Sequence, residues 1–280
     1  MHYWMVATAA AALVPSASSA PYPSYDKPLT TDQAHAATTA LRLAQTPVVQ
    51  LVRPPTQKPK ALAVLDASFN PPTRAHVHLL HAVSERYGAS HRLLLLATHN
   101  ADKPVSGASL AHRLQMMDLR ARADAAGATI CGVTAHPLFA DKAAALRRLC
   151  GADVPIYLIV GFDTWVRVVD AKYYEAGALD AALRAIFDEL HVVVVSRSSE
   201  SASAVGDRGI LEQEELVKSL SPELTRGRLH FLQNDDAMAG LSSSAIRRAL
   251  ARRERGELED LPTELRGFVS ENALYVAETS

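Results

Sequence analysis

The sequence predicts an α/β chain: a doubly wound, mostly parallel Rossmann-like sheet with helices on both faces. Three observations predict it. Short apolar segments of strand length alternate along the chain with longer segments whose apolar residues recur at helical spacing. The clearest strand segments are aliphatic or β-branched almost throughout, as strands covered on both faces are. Finally, the run Ser68-Phe69-Asn70-Pro71-Pro72-Thr73-Arg74-Ala75-His76 joins a strand to a helix through a phosphate-sized turn. Such sheets bind ligands outside the carboxyl ends of their strands, where the strand order reverses.

Each element follows in order. Residues 1–28 read as a leader outside the core. Its apolar run from Trp4 to Val14 precedes Ser18-Ser19-Ala20, which has the form of a signal-peptidase site. No Lys or Arg stands before that run, so the positive segment of a secretory signal is missing and the signal is disfavoured. The run is also too short to span a bilayer as a helix. Residues 29–59 are expected to hold a short helix near 31–44 and a Pro-rich linker at 53–60, ahead of the main domain at 60–280. The first strand is the apolar run at 61–66, and the helix after it runs from Arg74 to about Tyr87, with Leu80, Val83 and Tyr87 in register. A strand is predicted at 91–98, a helix at 110–125, a strand at 128–134 and a helix at 141–150. Buried strands follow at 155–160 and 190–196. The Ser-rich stretch at 196–209 is expected to be a mobile surface loop. No repeat of twenty to fifty residues is present.

At 280 residues the chain can bury one sizeable core. Its formal net charge of −1 gives no support for a nucleic-acid or anionic-membrane partner. Cys131 and Cys150 have no metal-ligand spacing and are too few for a disulfide framework, so a reduced compartment, cytoplasmic or nuclear, is the simpler expectation. Composition leaves the oligomeric state open.

The turn after the first strand lacks the glycine fingerprint of a dinucleotide fold and the Gly-Lys-Ser/Thr of a P-loop. It offers two prolines, a hydroxyl and a histidine. Thr73 is a natural N-cap, which puts His76 in the first helical turn, where free N–H groups and the helix dipole favour an anion. A cationic or hydrogen-bond-donating imidazole there suits a phosphoryl group gaining charge. Taken alone, His76 would be a helix-surface histidine like His78 and His81.

These residues resemble the first signature of the nucleotidyltransferases, Gly-x-Phe-x-Pro-x-His/Thr-x-x-His, with Phe69, Pro71, Thr73 and His76 in register. Leu241-Ser242-Ser243-Ser244-Ala245-Ile246-Arg247 is similar to the family's second signature, Ile-Ser-Ser-Thr-x-x-Arg. The Asn-Pro-Pro-Thr variant most resembles the nicotinamide mononucleotide adenylyltransferases, in particular their fungal branch, and the likeness spans roughly residues 60 to 277. The resemblance implies ATP and a phosphomonoester acceptor, nicotinamide mononucleotide, as substrates, with Mg²⁺ carried mainly by ATP and no protein metal cage. It implies catalytic roles for Thr73, His76, Lys103 and Arg247. Nucleotide contacts are implied for Ser68, Phe69, Asn70, Gly161, Asp163, Ser243 and Ser244. Trp165 and Tyr173 are the aromatic candidates for the acceptor's base. Arg113 resembles a helix-start residue of the family, although helical arginines are common.

Three departures stand out. Asp66-Ala67 occupies a place where the family usually has glycine, and a carboxylate there repels ATP unless it turns away. Ala75 replaces a glycine before the second histidine. The Trp-Glu pattern after the third strand is absent, replaced by Thr134-Ala-His-Pro-Leu-Phe139, so the acceptor pocket must be built differently. The rival expectations are the same fold acting on another phosphomonoester, and a nucleotide-binding adaptor or slow ATPase.

Overall fold

The computed structural model describes residues 27–40, 48–98, 107–197, 208–252 and 257–276. The expected Ser-rich loop lies almost wholly outside them, as does nearly all of the leader.

Seven strands form one sheet: β1 (Val49–Arg53), β2 (Leu62–Asp66), β3 (His91–Ala97), β4 (Thr129–Thr134), β5 (Ile156–Gly161), β6 (His191–Val195) and β7 (Leu229–Leu232). Their order is β1-β4-β3-β2-β5-β6-β7. All neighbours from β4 to β7 run parallel, whereas β1 pairs antiparallel with β4 at the edge. The chain steps outward from β2 through β3 to β4, then returns to β5 and steps the other way. The switch point therefore lies between β2 and β5, at Asp66 and Gly161.

Alternation along the strands explains the two helical layers. Leu62 and Val64 of β2, with Val192 and Val194 of β6, join a core shared with α4 (Phe139–Cys150), α5 (Phe162–Val168) and α6 (Leu179–Glu189). Ala63 and Leu65, with Val193 and Val195, face the opposite core with α1 (Thr31–Ala40), α2 (Arg74–Tyr87) and α3 (Leu110–Arg122). After β6 come α7 (Ile210–Lys218), α8 (Pro222–Thr225) and, beyond β7, α9 (Asp236–Ala239). A third cluster ties α10 (Ser243–Arg252) and α11 (Thr263–Glu271) to α3 through Ile246, Leu265, Val269 and Met116.

The boundary expected at residue 60 is not a break in packing. Ala34 and Ala37 of α1 are buried in the main core, Leu29 N donates to Asp118 Oδ2 at 2.9 Å, and β1 extends the sheet. Among the described residues, no helix is long and apolar enough to cross a membrane.

Candidate active site

The turn after β2 organises the site. Thr73 caps α2 in extended backbone, and its hydroxyl accepts from His76 N at 3.4 Å. His76 returns the contact: its Nδ1 accepts from Thr73 N at 2.9 Å, closing a reciprocal capping box. Thr73 Oγ1 lies 2.8 Å from the same nitrogen. With Nδ1 accepting, the neutral ring carries its proton on Nε2. Burial and the Arg197 guanidinium push the pKa of His76 down to about 4. Of the two forms of imidazole expected from the sequence, the structure selects the neutral donor.

Phe69 is fully buried, with its ring centroid 5.2 Å from that of His76. Its φ of 44° is unusual for a bulky residue. It braces the histidine from the core side, so its side chain does not line the cleft in which His76 sits. Asn70 is buried, its Oδ1 accepting from Ala108 N at 3.1 Å. Gly107 stands over this amide with φ +74°, and a Cβ there would meet Asn70 Nδ2 at 2.8 Å.

The serine-rich start of α10 is latched onto the same turn. Ser242 caps the helix, accepting from Ala245 N at 3.1 Å. Ser243 Oγ donates to the Pro71 carbonyl at 2.8 Å. Arg247 spans the junction, donating to Asn70 O at 2.7 Å and to Ser244 Oγ at 3.1 Å. The two short motifs, far apart in the chain, form one wall. Arg248, the next residue, is exposed.

These residues line a cleft of about 390 Å³ above the switch point. Ser68, Asn70, Thr73, His76, Gly161, Ser243, Ser244 and Arg247 all border it, with Arg113, Arg197, Ser196 and Asn234. Arg113 is 4% exposed, its Nε donating to Ala108 O at 2.9 Å. Burial, with Arg247 nearby, lowers its pKa. Arg197 packs closely over Gly161, where a Cβ would come 3.2 Å from its Nε and push the guanidinium aside by a few tenths of an ångström. Asp163 does not border the cleft; it lies 3.6 Å from Arg197 Nε and holds that cation in place. Lys103 lies outside the described residues.

A second cleft of about 330 Å³ adjoins the first, and the two share Asp66, Ala67, Ser68 and Thr164. Tyr173 lines it with Tyr174, Phe139 and Arg167. Trp165 does not reach it. That ring is 1% exposed in the core, packed edge-on against Phe187 at 6.4 Å between centroids, so the expectation of a base-stacking role is corrected. Its place on the inner face of a short helix, behind β5, turns it away from the cleft. Asp66, suspected of repelling a polyanion, is paired with Lys142 Nζ at 2.5 Å.

Sequence reasoning passed over Arg197, Asn234, Lys142 and Tyr174. Arg197 had a signal, since it stands two residues past the carboxyl end of the buried strand β6. Lys142 had one too: it sits on the apolar stripe of α4 among Phe139, Ala143 and Leu146.

Comparison with known proteins shows the family of the chain. The cytidylyltransferase-like family matches residues 64–249, more than half of the chain and the whole span of the site. A Schizosaccharomyces pombe protein, provisionally named a nicotinamide mononucleotide adenylyltransferase, is 33% identical over 165 residues. That match covers 59% of this chain and 64% of the relative. A Yersinia pestis protein, provisionally named a nicotinate-nucleotide adenylyltransferase, is 25% identical over 76% of this chain and 94% of its own. Among solved structures, Plasmodium falciparum nicotinic acid mononucleotide adenylyltransferase complexed with NaAD superposes with a TM-score of 0.58 at 13% identity. It covers 77% of this chain and 97% of that one, a likeness of fold.

Proposed function

The chain belongs to the cytidylyltransferase-like family, and from that premise we propose that it transfers the adenylyl group of ATP to nicotinamide mononucleotide, giving NAD and pyrophosphate. The observation that carries this reading is the contrast between two joined clefts. The first presents Arg113, Arg197, Arg247 and the donor His76, which suits a polyanion. The second presents Phe139, Tyr173 and Tyr174 beside Arg167, with Lys142 paired to Asp66, which suits a flat base bearing a phosphate. A greater identity to the S. pombe relative than to the Y. pestis one favours the amide over the acid as acceptor.

The chemistry needs little covalent work from the protein. An oxygen of the acceptor's phosphate attacks the α-phosphorus of ATP in line. The bond from that phosphorus to the oxygen bridging to the β-phosphate breaks, and pyrophosphate leaves with the electron pair. The protein aligns two anions and disperses the charge that develops. His76 donates its Nε2–H to an α-phosphoryl oxygen, and Thr73 fixes the tautomer that makes this possible. Arg247 and Arg113, with Lys103 by resemblance, hold the β- and γ-phosphates. Asp66 is the one carboxylate on either cleft among the described residues, and Lys142 takes it up. That donor set fits Mg²⁺ arriving on ATP and held by phosphate oxygens and water. When bound, the ion neutralises part of the triphosphate charge.

Incubation with ATP, Mg²⁺ and each of nicotinamide mononucleotide, nicotinate mononucleotide and phosphopantetheine tests the reading. NAD with pyrophosphate is the expected outcome. Dinucleotide from neither pyridine substrate contradicts it, and phosphate release without acceptor marks an ATPase.

A further inference from the structure

The buried pair Asp66–Lys142 stands at the junction of the two clefts, and nothing in the transfer chemistry above requires it. Both side chains are almost wholly removed from solvent, 8% and 5% exposed, with Nζ 2.5 Å from Oδ2. Asp66 ends β2, the central strand, and borders both clefts; Lys142 reaches over from α4 and borders only the second. Its ammonium also lies 4.6 Å from the Phe139 ring centroid. A buried ion pair is a poor source of stability, because desolvation offsets most of the attraction. Removing one partner, however, leaves an uncompensated charge. If the transfer proposed above is right, the two reacting phosphates must meet where the clefts join, beside Asp66.

We propose that Lys142 is the positioning residue that lets a phosphomonoester acceptor occupy this junction, by cancelling the Asp66 carboxylate and holding it away from the incoming phosphate. The proposal rests on the nucleotidyltransferase reading of the site. The loss of Lys142 falls unequally on the two substrates. ATP keeps Arg113, Arg197 and Arg247 along its own cleft, whereas Arg167 is the one other cation lining the acceptor's cleft among the described residues. An unpaired Asp66 therefore acts mainly against the acceptor.

The test is a double-mutant cycle of Lys142→Gln and Asp66→Asn, with thermal unfolding of each variant recorded in parallel. Lys142→Gln is expected to raise the acceptor KM by about tenfold or more and the ATP KM by less than about threefold. Adding Asp66→Asn is expected to bring the acceptor KM back to within about threefold of the parent, because no charge then remains to be cancelled. Equal changes in the two KM values, or no recovery in the double variant, overturn the proposal, and so does an acceptor KM unmoved by Lys142→Gln. A purely structural pair would lower the unfolding temperature without splitting the KM values.

Calorimetry with inorganic phosphate, in saturating non-hydrolysable ATP analogue, separates this proposal from the choice of acceptor. Phosphate carries the acceptor's reacting group without its base. The same loss and recovery of phosphate affinity is expected even if neither pyridine nucleotide is a substrate; unchanged phosphate affinity in Lys142→Gln contradicts the role of the pair.

Discussion

The two clefts are built on opposite plans. The cleft proposed for the nucleotide draws on two compact motifs, each a turn that caps a helix, latched together by Ser243 to Pro71 and Arg247 to Asn70. The cleft proposed for the acceptor draws scattered residues from β2, β3, α4, α5 and the short 3-10 turn at Ala171–Tyr173. A helix start binds a phosphate with local groups, so its requirements are written into a few consecutive residues. A flat base is held by rings that only the tertiary fold brings together. The difference suggests that chemistry is tied to the first cleft and acceptor choice to the second.

The largest expected effect lies in the nucleotide cleft. His76→Ala should lower kcat by about a hundredfold, as loss of one transition-state donor does, while ATP affinity changes only a few-fold, because the bond strengthens as charge develops. A loss of ATP affinity with kcat unchanged would instead make His76 a ground-state anchor. The depressed pKa adds a pH test on the free protein. A histidine with a folded pKa of about 4 is neutral from pH 8 down to pH 5, so its carbon resonances should not titrate near 6.5. Its folded-state preference for the neutral ring contributes stability above pH 6.5, and that contribution is lost as pH falls towards 4.

Next comes the latch. Arg247→Ala should weaken ATP binding and slow transfer together, by about tenfold or more, since it meets groups charged in both ground and transition states. Arg247→Lys should recover only part of this, because an ammonium cannot bridge Asn70 O and Ser244 Oγ as a guanidinium does. Arg248→Ala, about 100° around the helix and exposed, should be nearly silent. Equal effects at the two arginines would reduce the motif to diffuse positive charge.

The acceptor cleft gives a smaller and sharper contrast. Tyr173→Ala should raise the acceptor KM several-fold with ATP binding and unfolding temperature unchanged. Trp165→Ala should do the reverse, costing about 3–5 kcal/mol of stability as a buried aromatic does. A Trp165 variant with normal stability and a raised acceptor KM would restore the base-stacking role. Smallest of all is the effect of removing residues 1–26. The first backbone tie to the core among the described residues is Leu29 to Asp118, so the unfolding temperature should shift by under about 2 °C.

The same division explains how much was legible in the sequence. The strands at β2 to β6 and the bounds of α2 follow from period and capping, and the wall formed by Thr73, His76, Ser243 and Arg247 from two matched motifs. The edge strands β1 and β7 escaped notice because each is short and half-exposed, with polar residues such as Gln50 and His230 breaking the apolar run. Asp66 looked like a liability because its partner lies 76 residues away on another element. A lysine on the buried stripe of α4 demanded an anion, and a carboxylate ending a central strand demanded a cation. Each was visible alone, and only the fold joins them. Trp165 misled for the converse reason: proximity in sequence to Gly161 says nothing about which face of α5 it takes.

One labelling experiment tests the central claim most directly. ATP carrying label on its α-phosphorus is mixed with the protein, Mg²⁺ and nicotinamide mononucleotide, and the label is followed together with pyrophosphate. Adenylyl transfer predicts label in the dinucleotide, one for each pyrophosphate released, and none of either when the acceptor is withheld. Label remaining in ADP or AMP, with phosphate released at the same rate whether or not the acceptor is present, would contradict the account.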